Sequence, residues 1–289
     1  MTNMLRFKPT AVLKLTGEDS AEFLQGQFSQ DLRGAVAGEL RYGFWLDRKG
    51  RVAGDAGVGL DAEGAWWIFS DSLGAADLGA RLESFIIADD VVIEDLTATW
   101  FGFRLWSADG SMTEAPKKGW TWTRPQGLSL GPGEVWWFID DPAAEPSGAT
   151  AVTAEAYEHE RIRRGIPRVG RDIASGDLPQ EGGLDAVGVS FNKGCYLGQE
   201  VMARVKSLGR VRRGLMPVAG AGAVPSGDAP VAIWQGDRQV GELRSRQADP
   251  AGGWLGLAML NVSAREVYVP LRTGPEPDAP VCRERKVKP

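Results

Sequence analysis

The residues with the most chemical potential in this 289-residue chain stand together at Lys193-Gly194-Cys195-Tyr196-Leu197-Gly198-Gln199-Glu200. Two glycines bracket a thiol and an aromatic ring, which suits a tight loop whose backbone takes unusual dihedrals or approaches a ligand closely. The next residues, Val201-Met202-Ala203-Arg204-Val205-Lys206, read as the first turns of a helix. Cys195 would then lie just before a helix N-terminus and beside Lys193, where the dipole and the ammonium both favour the nucleophilic thiolate. The same pattern also fits a small buried hydrophobe between two turn glycines. Local chemistry leaves both arrangements open.

The rest of the reactive inventory is thin: Cys282 is the second of two cysteines, and His159 is the one histidine. A four-ligand cysteine/histidine cage cannot be built from this set, so no resident metal is expected and any cluster needs ligands from elsewhere. Two cysteines in unlike surroundings point to free thiols in a reducing compartment, the cytoplasm. Met1 to Pro9 lacks the apolar run of a signal peptide or membrane helix, so the protein is expected to stay where it is made, with no membrane partner. A formal charge of -5 supplies no global positive field, and nucleic acid is not expected as a main partner. The eleven tryptophans offer flat surfaces for heterocycles, although core filling is their commoner fate.

The elements that must position these residues are legible in outline. A chain of this length with 43% hydrophobic content exceeds what one core usually serves, so two or three lobes are expected. Asp19 and Glu22 have the form of a capping box for a helix over Ala21 to Phe28. Strands follow over Tyr42 to Leu46, Val52 to Leu60 and Trp66 to Phe69, around turns at Lys49-Gly50 and Gly64. Asp71 or Ser72 caps a second helix carrying Leu78, Leu82, Phe85 and Ile86, and Val91 to Ile93 reads as a strand. A looser version recurs as strands over Trp100 to Trp106, Trp120 to Thr123 and Val135 to Ile139, then a helix from about Thr153 to Arg164. From Arg213 the pattern turns all-β, with strands over Leu215 to Val218, Val231 to Trp234, Val240 to Leu243, Trp254 to Leu260 and Val267 to Leu271, which suits a small barrel. The proline-rich, charged end, 276–289, is expected to be a flexible tail. The fold class is therefore α+β: residues 1–205 as two α+β lobes, roughly 1–97 and 98–205, and residues 206–275 as a C-terminal β-barrel.

Lys193 to Glu200 resembles the signature K-G-C-[F/Y]-x-G-Q-E of the YgfZ family, folate-binding relatives of the glycine-cleavage T-protein. Phe23-Leu24-Gln25-Gly26-Gln27 is similar to that family's F-L-Q-G-Q segment, and Asp47-Arg48-Lys49-Gly50-Arg51 to its D-x-x-G-R turn. Arg163-Arg164-Gly165-Ile166-Pro167 is similar to its R-x-G-I-P helix end, and Leu178-Pro179-Gln180-Glu181 to the stretch that leads to the octapeptide. These segments come in family order and span most of the chain. The resemblance implies a ring-like arrangement of two α+β lobes and a β-barrel around a central channel that holds tetrahydrofolate or a one-carbon derivative. It also implies iron-sulfur proteins or assembly factors as partners, in the assembly or repair of clusters for enzymes such as those of tRNA modification.

Departures separate the chain from the T-protein itself. T-proteins place two adjacent carboxylates after a glycine pair, and this chain offers Gly54-Asp55, with one. T-proteins carry a glutamate before the glycine of the helix end, where this chain has Arg163 or Arg164, and a cation cannot accept hydrogen bonds from a pterin. No G-x-x-x-x-G-K-[S/T] is present, which removes the GTPase-bearing tRNA-modifying relatives.

A folate site wants an aromatic or apolar slot, a few fixed polar groups and basic residues near the acidic tail. Tyr196, Gln199 and Glu200 are therefore assigned to the pterin or its linker, and Lys193, Arg204 and Arg51 to the carboxylates. Asp55 is the carboxylate expected near the folate. The arginines equally suit an ordinary solvated surface. Three accounts stay open: Cys195 as the catalytic thiolate, touching iron, a persulfide or a folate-borne one-carbon unit; a folate-dependent aminomethyl or methyl transferase; and a folate-sensing scaffold that docks client proteins without turnover.

Overall fold

A computed structural model describes residues 1–107, 109, 118–125, 127–131, 133–141, 143–227, 230–262 and 269–287. The chain divides into two compact units, the first made of residues 1–152 and 185–204 and the second of 153–184 and 205–289. The first unit opens with β1 (Asn3–Phe7), β2 (Ala11–Thr16), α1 (Ser20–Gln27), β3 (Leu40–Leu46), β4 (Val52–Leu60) and β5 (Trp66–Ser70). It continues with α2 (Ala75–Glu83), β6 (Val92–Asp95), β7 (Phe101–Trp106), β8 (Trp120–Thr123), β9 (Val135–Ile139) and β10 (Thr150–Ala151).

Two five-stranded sheets result, in the orders β3-β4-β5-β2-β6 and β10-β1-β7-β9-β8. Period-two alternation gives the first sheet two faces with different work. Ala56, Val58, Trp66 and Ile68 point to one side and pack with Leu24, Phe28, Leu78 and Leu82 of the α1 and α2 region. Their neighbours Gly57, Gly59, Trp67 and Phe69 point to the other, where the second sheet lies. Phe69 stacks on Phe138 at 4.5 Å, and Trp120 meets Trp67 and Phe69 at 6.1 and 5.7 Å. The glycines are spacers for that aromatic layer: a Cβ on Gly57 would sit 3.1 Å from the Trp122 ring, and one on Gly59 2.9 Å from Trp120. Many of the tryptophans are therefore core. Asp55 belongs to the same alternation and so faces the second sheet.

The second unit is built on α3 (Ala154–Arg163), a short 3-10 turn at Pro179–Gly182 and a barrel; α4 (Asp185–Gly188) returns to the first unit, and α5 (Gln199–Leu208) runs from one unit into the other. The strands β11 (Arg213–Gly220), β12 (Val231–Gln235), β13 (Arg238–Ala248), β14 (Trp254–Asn261), β15 (Leu271–Arg272) and β16 (Val281–Glu284) close in the order β11-β14-β13-β12-β15-β16. Val218, Ile233, Leu243, Trp254, Leu260 and Cys282 fill the interior. The class is α+β with a closed six-stranded barrel.

Several boundaries differ from expectation for identifiable reasons. The segment expected as a flexible tail supplies β16, which pairs with β11 and β15 and closes the barrel; Val281 and Cys282 give it an apolar strand amid charge. The N-terminal strands β1 and β2 carry no motif, and β1 joins the second sheet by pairing with β7. Asp19 is the N-cap of α1 but makes no cap bond; its Oδ2 instead accepts from Asp90 N at 2.7 Å. Gly74, not Asp71 or Ser72, caps α2, because those two side chains are engaged elsewhere. Of the strand expected over Val267 to Leu271, positions 267 and 268 lie outside the described residues.

Candidate functional site

Three sequence segments far apart in the chain are knitted into one surface of the first unit. The octapeptide lies against the end of α1, where Leu197 N donates to Gly26 O at 3.1 Å. Gly198 takes φ +87°, and a Cβ there would lie 2.6 Å from Asp47 O and 3.0 Å from Gly50 Cα, so only glycine lets the loop meet this turn. Gly50, at φ +69°, leaves no room for a Cβ beneath Val201 and Met202 of α5. The turn itself is pinned by Asp47, whose Oδ1 accepts from Lys49 N and Arg51 N at 2.8 Å each.

Within this frame the octapeptide side chains part ways. Lys193 is buried, and its Nζ donates to Phe28 O at 2.7 Å and Gln30 O at 2.9 Å while lying 5.1 Å from the Tyr196 ring centroid. Burial pulls its ammonium down to about 8. The ammonium thus anchors the loop to the chain that follows α1. Tyr196 is buried, its hydroxyl without a hydrogen-bond partner among the described residues and pushed up to about 12 by burial. Gly194 and Cys195 are exposed, and α5 starts at Gln199, four residues beyond the thiol. Glu200, Arg204 and Arg51 are exposed around the loop and the Asp47 turn, and Gln199 is half-buried. Cys282 is the opposite case: it is 1% exposed inside the barrel, and burial pushes its thiol up to about 11.

Asp55 lies in a second cluster of the same unit, and among the described residues no hydrogen bond joins it to the octapeptide. Tyr42 of β3 donates its hydroxyl to Asp55 Oδ2 at 2.9 Å, and Ser72, after β5, donates to Oδ1 at 2.5 Å. Burial pushes the Asp55 carboxyl up, against the pull of the Arg124 charge and of these two hydrogen bonds. Arg124, just beyond β8, is half-buried, with its guanidinium carbon 4.2 Å from the Trp136 ring centroid, 4.5 Å from Trp122 and 5.3 Å from Tyr42. Arg104 of β7 stacks on Trp136 as well, also at 4.2 Å, and is paired with Asp71. Arg124 forms no ion pair among the described residues, and its Nε is buried without a partner, an arrangement that costs ~1–3 kcal/mol. Tyr42, Ser72, Trp122, Arg124 and Trp136 were not marked as site residues in the sequence. Its one hint was the spacing Gly54, Gly57, Gly59 in β4, which announces a close approach by another element.

In the second unit, Arg163 and Arg164 both bond Glu160, at 2.7 and 2.6 Å, and these bonds draw its carboxyl down to about 2. Among the described residues no three His, Cys, Asp or Glu side chains gather as a metal site, and no helix is long and apolar enough to cross a membrane.

Comparison with known proteins adds family context. Residues 212–280 match the CAF17 C-terminal beta-barrel domain. The chain is similar to the mitochondrial iron-sulfur cluster assembly factor IBA57 homolog of Cryptococcus neoformans, 29% identical over 241 residues that cover 72% of this chain and 64% of that protein. It is 27% identical to the tRNA-modifying protein YgfZ of Escherichia fergusonii, over 73% of this chain and 70% of that one. It is 28% identical to the IBA57 of Mus musculus, over 88% and 76%. The chain thus spans just under two thirds of the Cryptococcus relative's length. Its fold matches the glycine cleavage system aminomethyltransferase T of Bartonella henselae with a TM-score of 0.77, over 99% of this chain and 85% of that one, at 12% identity.

Proposed function

We propose that this chain, which belongs to the YgfZ and IBA57 family within the glycine-cleavage T-protein superfamily, supports the assembly or repair of iron-sulfur clusters. In this reading Cys195 is the reactive group offered to iron-sulfur proteins or assembly factors, and tetrahydrofolate is held on the face that carries Asp55. The observation that carries it is the exposure of Cys195 on a loop fixed from three sides: by Lys193 on the α1 end, by Gly198 on the Asp47 turn and by Gly50 under α5. So much fixed backbone around one exposed thiol suits a group that must meet a partner.

The residues fit a folate. Asp55 and Tyr42 lie beside the aromatic rings of Trp122 and Trp136, a partly apolar wall with a few fixed polar atoms. Folate, when bound, supplies ring nitrogens that carry one-carbon units. Asp55, raised by burial, is suited to hold or release a proton at Oδ1 or Oδ2, with Tyr42 and Ser72 fixing its orientation. Tyr196, Gln199, Glu200, Arg204 and Arg51 remain the further candidates for folate contact around the octapeptide, and Lys193 acts there chiefly as an anchor. Aminomethyl transfer is the weaker account, because the Asp55 position offers one carboxylate and Arg163 and Arg164 are tied to Glu160. The cytoplasm, with both thiols reduced, is the setting proposed for this work.

Brief alkylation of the native protein with iodoacetamide tests the role of the thiol. One adduct is expected, at Cys195, with Cys282 spared inside the barrel. The adduct is expected to lose its support of cluster loading onto an apo iron-sulfur enzyme in a reconstituted assembly mixture. Full support by the alkylated protein would move the account to a scaffold without chemistry.

A further inference from the structure

Among the described residues Trp136 has two arginines against it, and the two are not equivalent. Arg104 has a carboxylate partner in Asp71, and its charge is answered within the fold. Arg124, held by Trp136, Trp122 and Tyr42, has neither an ion pair nor a side-chain hydrogen bond among the described residues, and its Nε is buried and unmet. Aromatic faces stabilise the guanidinium but leave its in-plane N–H groups unused, and those groups are shaped for a planar oxygen acceptor. Asp55 does not fill that role. The Arg124 charge is felt by the Asp55 carboxyl, yet no hydrogen bond links them, and the carboxyl oxygens are already engaged by Tyr42 and Ser72. Both residues remain partly open to solvent. Buried Nε atoms without a partner occur elsewhere in this chain, as at Arg285, so what singles out Arg124 is its charge: Asp71 answers Arg104, and no carboxylate among the described residues pairs with Arg124.

We propose that Arg124 is a ligand-binding residue of this face, its guanidinium fork taking a planar oxygen acceptor of the molecule that lies beside Asp55. The acceptor is a carboxylate or a lactam oxygen, and folate carries both. The assignment rests on the folate reading for the identity of the ligand, but not for the unpaired charge of Arg124. Arg124 thereby sets which way round the ligand lies, with its acceptor oxygen on the guanidinium and another of its groups at the Asp55 carboxyl.

Tryptophan fluorescence of the intact protein reads this directly, because Trp122 and Trp136 lie against Arg124. Titration with tetrahydrofolate is expected to quench the wild type saturably. Arg124→Gln is expected to weaken binding on the order of ten- to a hundredfold, the scale of a lost charge-assisted hydrogen bond. Arg124→Lys keeps the charge without the fork and is expected to recover only part; it also preserves a readable case should the glutamine variant fold poorly. Two fragments identify the oxygen: 6-methyltetrahydropterin carries the lactam without carboxylates, and p-aminobenzoylglutamate carries carboxylates without the lactam. The one whose binding falls in the variants names the group on Arg124. Equal binding of tetrahydrofolate by wild type and folded variants overturns the proposal and leaves the folate reading intact. If the wild type ignores tetrahydrofolate but binds either fragment through Arg124, the folate reading fails and the assignment stands. Failure of tetrahydrofolate and both fragments to show any dependence on Arg124 ends it.

Discussion

Lys193 shows how one residue of a motif changes meaning once its surroundings are known. In the sequence it stands two positions from Cys195 and reads as a cation for a thiolate or a ligand carboxylate. In the fold its Nζ is committed to Phe28 O and Gln30 O. A buried ammonium at about 8 binds its proton less tightly than the unfolded lysine at 10.5, so folding carries a penalty below pH 8 that fades as pH rises. The neutral amine keeps two N–H donors for its two carbonyls, so the anchor survives deprotonation. Wild type is therefore expected to gain stability over Lys193→Met between pH 8 and 10.5, by up to about 3 kcal/mol. Urea midpoints of the two proteins across that range check the sign, and a difference that is flat or falls with pH would refute it. Asp55 carries the opposite lesson. Its register in the T-protein resemblance marked it, but Arg124, Tyr42 and Ser72 come from three other segments, and no local spacing could announce their meeting.

Among the elements, β4 was legible in its bounds but not in its purpose. Its glycines alternate with Ala56 and Val58 because one face packs on helices and the other must admit Trp122 and Trp120. A Cβ at position 59 would meet Glu39 O at 2.4 Å as well as Trp120, and that backbone carbonyl cannot swing aside. Gly59→Val is expected to cost about 2–3 kcal/mol, and Gly57→Ala, whose contact is a ring at 3.1 Å, less than half as much. Equal urea midpoints for the two variants would contradict that ranking. Strands β8 and β9 were legible because WTWT and VWWFI are dense in β-formers. By contrast β16 was hidden, since four residues between charged and proline-rich stretches carry too little pattern to declare a strand. Helix α3 was anticipated from about Thr153 to Arg164, and in the fold Thr153 caps it by accepting from Ala156 N at 3.2 Å. What the sequence did not disclose is how α3 is tied to the barrel. Arg161, 2% exposed, bonds Asp172 at 2.6 Å, Glu158 at 2.7 Å and Ser245 of β13 at 2.9 Å. Arg161→Met leaves Asp172 as a buried charge with its cation removed and is expected to destabilise the protein by about 3–5 kcal/mol. The double variant Arg161→Met/Asp172→Asn is expected to recover much of that loss in chemical denaturation.

For the molecule as a whole, the turn glycines of the octapeptide and of the Asp47 turn were the legible part, because a Cβ on Gly198 or Gly50 would strike the element packed against it. The fold of the aminomethyltransferase T of Bartonella henselae extends over nearly the full chain, at 12% identity. A shared frame shows the fold alone, and the folate site and the working thiol belong to the proposal. The claim on which the rest depends is that Cys195, and not Cys282, is the working sulfur. In cells deprived of this chain, the activity of a [4Fe-4S] enzyme should return on expression of wild type or Cys282→Ala and stay low with Cys195→Ala accumulated to the same level. Full recovery with Cys195→Ala would contradict the account.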